Sequence, residues 1–194
     1  MQEMRIIIMQ GMTCLGKSTL CKQLEKQLPR CKHYSIDTYK EEMWDKFGFD
    51  SEKQRNHQSK LARDLFYSDI SEAIRNHLYD YILLDYAFTD EIWNELWDTL
   101  RDKPVSIKTV YLRPVNLVEH KDEWEKRSRD FTVRHPGHGA THYHDGKGSE
   151  YVNEYISKVF IDMHTTEEVL EVWVSFNPYS RDISDEKIVD FIVS

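Results

Sequence analysis

Short apolar runs alternate along the chain with longer stretches that repeat an apolar residue every three or four positions. The runs have the length of β-strands and are rich in β-branched and aromatic residues. A strand that is buried on both faces of a parallel sheet is apolar at nearly every position, so these runs predict a mainly parallel sheet. The five predicted strands are 5–9, 33–36, 81–85, 105–112 and 172–176.

The stretches between the strands carry helical patterns. Leu20, Leu24 and Leu28 fall one turn apart and predict a first helix that is closed by Pro29. The segment 51–54 has the pattern of a capping box and opens a long helix. This alternation of strands and helices predicts an α/β layer fold with helices on both faces of the sheet. Further helices are predicted after Thr89, over 116–126, over 150–164 and from Ser184.

The stretch 127–149 interrupts the alternation, because it is rich in Arg, His and Gly and shows little periodicity. Irregular segments of this length in compact domains are usually functional or disordered. A chain of 194 residues is also cramped for two independent cores. We therefore expect a single domain over 1–194, in which 127–149 forms a lid.

The balance of charge narrows the classes of partner. The chain has 26 Lys and Arg against 34 Asp and Glu, a formal net charge of −8, which disfavours broad electrostatic binding to nucleic acid or to an anionic membrane. The apolar run at 4–9 is far too short to span a bilayer. The three cysteines are an odd number without a C-x-x-C pair, which favours a reducing cytoplasm as the setting.

A phosphate-binding motif lies between the first predicted strand and the first predicted helix. The sequence Gly-Met-Thr-Cys-Leu-Gly-Lys-Ser matches G-x-x-x-x-G-K-[ST] in full. Glycine at both ends lets successive backbone N–H groups turn toward phosphate, and the helix adds the positive end of its dipole. The lysine supplies charge to the β- and γ-phosphates, and the serine hydroxyl can bind Mg²⁺. The predicted nucleotide-binding residues are Gly11, Met12, Thr13, Cys14, Leu15, Gly16, Lys17, Ser18 and Thr19.

Four features together resemble the P-loop kinase superfamily. They are the phosphate loop, the acid that ends Ser-Ile-Asp37, the acid that ends Leu-Leu-Asp85 and the arginine-rich lid. The most similar branch is that of the small-molecule and polynucleotide-type kinases, which includes chloramphenicol phosphotransferase-like and zeta-toxin-like proteins. The resemblance implies a three-layer P-loop NTPase fold with a mainly parallel five-stranded sheet, and ATP and Mg²⁺ as cofactors.

The resemblance also implies roles for individual side chains. Asp37 would contact the acceptor hydroxyl and accept its proton, with ordinary helix capping as the alternative. Asp85 would hold the Mg²⁺ shell beside Ser18, with a solvated acid at a strand end as the alternative. Lid arginines would neutralise charge on the transferring phosphoryl group. The lid candidates are Arg127, Arg129 and Arg134, of which Arg127 and Arg134 are assigned as catalytic, and Arg113 is a further candidate.

Histidines and aromatic residues near these positions leave several interpretations open. The histidines could hold a metal ion, donate hydrogen bonds to phosphate or substrate, or decorate an exposed loop. The candidate metal ligands are His142 and His144 with His138 or Asp145, and the candidate substrate contacts are His135 and His138. An aromatic wall for the acceptor, or plain core packing, is predicted for Trp44, Phe47 and Phe49.

The function predicted from these features is transfer of the γ-phosphoryl group of ATP to a hydroxyl of a small-molecule or nucleoside-like acceptor. A nucleoside monophosphate kinase is the first alternative, but the segment after Asp37 offers Lys40 and Lys46 and no arginine before Arg55. A non-catalytic or regulatory ATP-binding module is the second. A GTPase switch is disfavoured because the chain has no Asn-Lys-x-Asp sequence, and a polynucleotide kinase is disfavoured by the net charge.

Overall fold

A six-stranded sheet forms the centre of the fold, in the order β2-β3-β1-β4-β5-β6. The computed structural model describes residues 3–88, 90–130, 135, 137–138, 165–176 and 179–194, and only the backbone at 90, 128 and 129. Neighbouring strands from β2 to β5 are parallel, and β6 runs antiparallel to β5. The strands are β1 (Met4–Gly11), β2 (Cys31–Ser35), β3 (Tyr81–Asp85), β4 (Val105–Pro114), β5 (Val169–Phe176) and β6 (Tyr179–Arg181).

The five predicted strands are all present, but the sheet has one strand more than expected. The additional strand, β6, is only three residues long and pairs through Ser175↔Ser180 and its neighbours. A segment this short has no alternation that a sequence pattern could reveal. The mainly parallel α/β fold is thus confirmed, and the count of five strands is corrected to six in the described part of the chain.

The described helices surround the sheet on both sides. The first helix has Leu28 as its C-cap and so ends just before Pro29, as predicted. The third helix begins after Ser51, whose hydroxyl accepts a hydrogen bond from the backbone N–H of Gln54. The predicted helix at 150–164 and the cap at Thr89 lie outside the described residues. The helices are α1 (Lys17–Gln27), α2 (Ile36–Phe47), α3 (Glu52–Arg75), α4 (Asp90–Leu100), α5 (Leu117–Arg129) and α6 (Asp185–Val193).

Two helix boundaries differ from the sequence prediction. The second strand stops at Ser35 rather than at the predicted Ile36, because α2 begins at Ile36 with Ser35 as its N-cap. Asp37 therefore lies in the first turn of a helix. The fifth helix continues to Arg129, so the first residues of the predicted lid are the last residues of α5.

Side chains of β1 alternate between two separate cores. Ile7 and Met9 pack with residues of α1 and α6 on one face of the sheet. Ile6 and Ile8 pack with residues of α3 and α4 on the other face. Because successive side chains of a strand point to opposite faces, one central strand supplies both layers of the core. This arrangement is the expected three-layer fold.

The parallel register brings the carboxyl ends of the strands to one edge of the sheet. Ser35 of β2 and Met9 of β1 both pair with Asp85 of β3, and Gly11 pairs with Leu112 of β4. Ligands of open α/β sheets bind at this edge. Among the described residues, no helix has both the length and the apolar character that a membrane crossing requires.

Candidate active site

The phosphate loop leaves β1 at Gly11 and enters α1 at Lys17. Gly11 and Gly16 have φ of +136° and +81°, values that favour glycine. A Cβ at Gly11 would also lie 2.6 Å from the carbonyl oxygen of Leu112, so the loop can approach β4 only where a side chain is absent. Cys14 adopts a φ of +69° without being glycine. The two motif glycines are therefore required by backbone shape.

The side chains of the phosphate loop differ in their exposure. Met12 and Leu15 are buried in the core beneath α1, whereas Thr13 and Cys14 are partly exposed and Thr19 is exposed on α1. The loop therefore has its backbone N–H groups to offer to an anion, together with the side chains of Lys17 and Ser18. This arrangement suits a phosphate chain, which backbone donors bind without regard to sequence.

Lys17 and Ser18 occupy the positions that the motif predicts. The ammonium group of Lys17 donates to the carbonyl oxygens of Gly11 and Met12, at 2.9 Å each, and so lies across the loop. Ser18 Oγ donates to Asp85 Oδ2 over 2.5 Å. Ser35 Oγ lies 3.4 Å from the same carboxylate oxygen. The hydroxyl and the acid predicted to share Mg²⁺ are thus adjacent, although they are 67 positions apart in the chain.

Asp85 is held in its charged form by its neighbours. Burial raises the pKa of its carboxyl, but the polar contact with His33, the charge of Lys17 and the hydrogen bond from Ser18 outweigh burial and lower the pKa below its ordinary value. His33 Nε2 lies 3.7 Å from Asp85 Oδ2, which is longer than a direct hydrogen bond. A buried anion beside a phosphate loop is suited to a cation.

The donor set fits magnesium, because Mg²⁺ prefers carboxylate and hydroxyl oxygens and is usually bound by one or two protein groups together with phosphate and water. Ser18 and Asp85 supply those groups. Among the described residues, no cluster of three or more His, Cys, Asp or Glu could hold a metal by itself. The candidate ligands His142, His144 and Asp145 lie outside the described residues.

Asp37 projects from the first turn of α2 at the same edge of the sheet. Its side chain is 51% exposed, so a ligand can reach it. Its neighbour Tyr86 directly follows β3. Burial raises the pKa of the Tyr86 hydroxyl to about 12. The charge of Arg63 lowers this pKa, whereas the charge of Asp37 raises it further. The ammonium of Lys40 lies 4.8 Å from the centre of the Tyr86 ring. Asp37 is therefore partly exposed and lies near enough to Tyr86 for its charge to act on that phenol.

Two histidines of the segment predicted as a lid contact carboxylates of α2. His138 Nε2 lies 2.7 Å from Glu41 Oε1 and its Nδ1 lies 3.7 Å from Asp37 Oδ1. His135 Nδ1 accepts the amide of Gly137, so its Nε2 carries the hydrogen that is donated to Asp45 over 3.1 Å. Both histidines therefore contact protein carboxylates in this conformation.

Trp44 packs against this segment and does not form an open wall. Its ring is 4% exposed and contacts the rings of His135 and His138, with centroids 5.3 and 4.9 Å away. A Cβ at Gly137 would overlap the indole. Phe47 is largely exposed and Phe49 meets the edge of Trp44. Trp44, the most buried of the three aromatic residues considered as an acceptor wall, thus packs against the two histidines.

The arginine candidates fall into three groups. The guanidinium of Arg127 lies 4.0 Å from the sulfur of Cys14, which places it at the phosphate loop. Arg113 pairs with Glu171 at 2.8 Å and stacks on Tyr111, so it is held against the outer part of the sheet. The side chain of Arg129 and all of Arg134 lie outside the described residues.

Two side chains that sequence reasoning missed hold the phosphate loop in place. Tyr179 of β6 donates its hydroxyl to the carbonyl of Leu15 over 3.3 Å, and a Cβ at Gly16 would overlap that hydroxyl. Gln10 is fully buried and its amide binds both backbone groups of Phe88, at 3.0 and 3.2 Å. A polar amide at the end of an apolar strand was a visible signal for Gln10; no pattern marked Tyr179.

Gln10→Leu should lower the free energy of unfolding by about 2–4 kcal/mol, because a side chain of similar size would leave the buried N–H and carbonyl groups of Phe88 without their partner. Urea denaturation measures the change. The control is Gln27→Leu, which alters an exposed position at the end of α1. A loss below about 0.5 kcal/mol for Gln10→Leu would show that water or a local shift replaces these bonds.

Comparison with known proteins agrees with this geometry. A sequence profile of the chloramphenicol phosphotransferase-like proteins matches residues 4–172. No curated protein sequence is significantly similar to the chain. The fold resembles that of a candidate kinase from Chloroflexus aurantiacus J-10-fl, with 21% identity over 98% of this chain and 97% of that one and a TM-score of 0.73.

Two more distant structures share the fold. The first belongs to the PezAT toxin–antitoxin system of Streptococcus pneumoniae, with 12% identity over 96% of this chain and 73% of that one and a TM-score of 0.55. The second is the tunicamycin resistance protein of Deinococcus radiodurans, with 13% identity over 97% and 93% and a TM-score of 0.51. At these identities the structures show the fold alone. Since the family profile spans most of the sequence, the chain belongs to the chloramphenicol phosphotransferase-like family.

Proposed function

We propose that the protein is an ATP-dependent kinase that transfers the γ-phosphoryl group to a hydroxyl of a small-molecule or nucleoside-like acceptor. The observation that carries the proposal is the pairing Ser35↔Asp85 between β2 and β3. It brings Asp37, two residues beyond Ser35, to the edge of the sheet where Asp85 meets Ser18. This register supports a nucleotide site and a proton-accepting carboxylate at the same edge of the sheet.

The chain's own groups divide the work of the transfer. Backbone N–H groups of the loop and the ammonium of Lys17 bind the β- and γ-phosphates and hold them in line with the acceptor. Ser18 and Asp85 would hold Mg²⁺, which when bound neutralises charge on the phosphates. The Asp37 carboxylate accepts the proton of the acceptor hydroxyl as its oxygen attacks the γ-phosphorus and ADP leaves. Arg127, beside Cys14, offsets negative charge at the loop.

The charges near Asp37 favour a hydroxyl over a phosphate as the acceptor. A phosphate acceptor is bound best by arginine that is free to pair with it in two hydrogen bonds. Arg63 is already paired with Glu95 at 3.1 Å and with Glu91 at 3.6 Å. Arg55 lies 3.6 Å from Glu52 and donates to the carbonyl of Gly137. The first alternative, a nucleoside monophosphate kinase, is therefore less well supported than a kinase that acts on a hydroxyl. The second alternative is an ATP-binding module without turnover.

The test is ADP release from ATP and Mg²⁺ in the presence of nucleosides, nucleoside monophosphates, sugars and hydroxylated antibiotics. We expect one hydroxyl-bearing class to raise turnover well above the rate without acceptor, and oligonucleotide added as a competitor to leave that rate unchanged. Stimulation by nucleoside monophosphates alone would replace the proposal with the first alternative. Tight ATP binding without stimulation by any acceptor would point to a macromolecular acceptor or a non-catalytic module.

A further inference from the structure

A buried histidine of α5 lies directly against the phosphate loop. His120 is fully buried, and its Nε2 is 2.6 Å from the carbonyl oxygen of Thr13, 107 positions earlier in the chain. Its ring lies against Phe176 of β5, with centroids 5.7 Å apart. Asn116 caps the start of α5 by accepting the amides of Val118 and Glu119, which fixes the turn that carries the histidine.

The chemistry of this contact defines the state of the ring. A carbonyl oxygen can only accept a hydrogen bond, so the hydrogen is on Nε2 of His120. Burial lowers the pKa of His120, and the positive charge of Lys17 lowers it further. The hydrogen bond to Thr13 raises the pKa but is outweighed, so the net effect is a lowered pKa. The neutral ring therefore predominates near pH 7. Its Nδ1 has no hydrogen-bond partner among the described residues, so the one bond that the ring makes there is to the loop.

The bond to Thr13 also sets the direction of the next amide. In a trans peptide the C=O and the N–H of the same unit point in opposite directions. When His120 holds the carbonyl of Thr13, the N–H of Cys14 must point away from α5. The preceding carbonyls of Gly11 and Met12 point instead to the ammonium of Lys17. The direction of the loop peptides thus changes at the unit that His120 holds.

We propose that His120 is a positioning residue, whose Nε2–H holds the Thr13–Cys14 peptide so that the Cys14 amide donates to a phosphate of the bound nucleotide. The inference rests on the proposed function of the loop as an ATP site. It also accounts for the left-handed backbone of Cys14, at φ +69°. That conformation is costly for a residue other than glycine and is kept only where surrounding contacts impose it.

Three substitutions test the proposal. His120→Leu introduces an apolar side chain of similar size and removes the hydrogen-bond donor. His120→Gln offers an amide N–H at a similar reach and should restore the bond. His57→Leu is the matched control, because His57 is exposed on α3, away from the loop. ADP binding is measured by calorimetry, so that no acceptor is needed. We expect His120→Leu to weaken ADP binding about tenfold, the loss typical of one hydrogen bond, and His120→Gln to bind within about threefold of the unchanged protein.

A second readout separates positioning from general stability. The protein has three cysteines, so labelling cysteine with ¹⁵N gives three backbone amide signals, and Cys14→Ser identifies that of Cys14. We expect ADP to shift this signal strongly in the unchanged protein and in His120→Gln, and weakly in His120→Leu at saturating ADP. Should His120→Leu fail to fold, His120→Asn takes its place, since its shorter amide does not reach Thr13.

Each outcome has one interpretation. Weaker binding and a lost shift in His120→Leu, both restored in His120→Gln, support the proposal. Equal ADP affinity and an equal Cys14 shift in His120→Leu overturn it and leave the ATP site intact. If the unchanged protein binds no ADP, the proposed function fails and this inference fails with it.

Discussion

Lys17→Ala should lower kcat/KM for ATP at least about a thousandfold, which corresponds to a loss of about 4 kcal/mol of transition-state stabilisation. The ammonium of Lys17 lies across the loop between the carbonyls of Gly11 and Met12, where it would meet the β- and γ-phosphates. Negative charge on these phosphates shifts during transfer, and a charge that is fixed in place beforehand stabilises that shift. Alanine is a good helix former at the start of α1, so the fold should persist.

The measurement combines the rate of ADP release with thermal unfolding followed by circular dichroism. Lys22→Ala is the matched control, because Lys22 lies on the exposed face of the same helix. We expect the control to retain normal rates and both variants to unfold within a few degrees of the unchanged protein. A Lys17→Ala rate within tenfold of normal would move the nucleotide site away from this loop.

Asp37→Asn should lower kcat by about a hundredfold to ten-thousandfold while the affinity for ATP changes less than about threefold, because loss of a general base removes that much rate. Asparagine keeps the size of the side chain and can still hydrogen-bond the acceptor, but it cannot accept the proton. The carboxylate is half exposed in the first turn of α2 and is not part of the phosphate loop, so the phosphates should bind as before.

Glu42→Gln is the control for this experiment, since it removes one negative charge from an exposed position on the same helix. The rate of transfer is obtained from single-turnover measurements with saturating acceptor, and the affinity for ATP is obtained from calorimetry. Equal losses of rate and ATP affinity would assign Asp37 to nucleotide binding. An unchanged rate would leave Asp37 as an ordinary residue of the first helical turn, where acidic side chains favour the helix dipole.

The parts of the molecule that sequence reasoning found are those whose signal is contiguous. The phosphate loop is a run of eight residues between a strand and a helix, and all its determinants are local. The pair of Ser18 and Asp85 was expected from the resemblance to P-loop kinases, and the parallel register that sets Met9 beside Asp85 agrees with that expectation. Local pattern was enough for the loop, and the resemblance was needed for the pair.

The side chains that support the loop were not accessible in this way. Gln10 binds Phe88 across 78 positions, His120 reaches Thr13 across 107 and Tyr179 reaches Leu15 across 164. Each contact depends on which strands become neighbours, and a single sequence does not state that order. The start of α2 was missed for a different reason: Ile36 is a β-branched residue directly after Ser35, so the change from strand to helix left no visible break in the sequence.

The central position of β1 has a consequence for the newly made chain. Its two neighbours, β3 and β4, are both synthesised after it, so at about 5–20 residues per second Gly11 waits about 5–20 seconds for Leu112. Until β3 and β4 are synthesised, Ile6, Ile7 and Ile8 have no neighbouring strand to join and form the kind of β-branched segment that associates with copies of itself. The loop that would bind nucleotide is thus early in the order of synthesis but late in the order of assembly, and a chaperone that covers this strand would protect the future site.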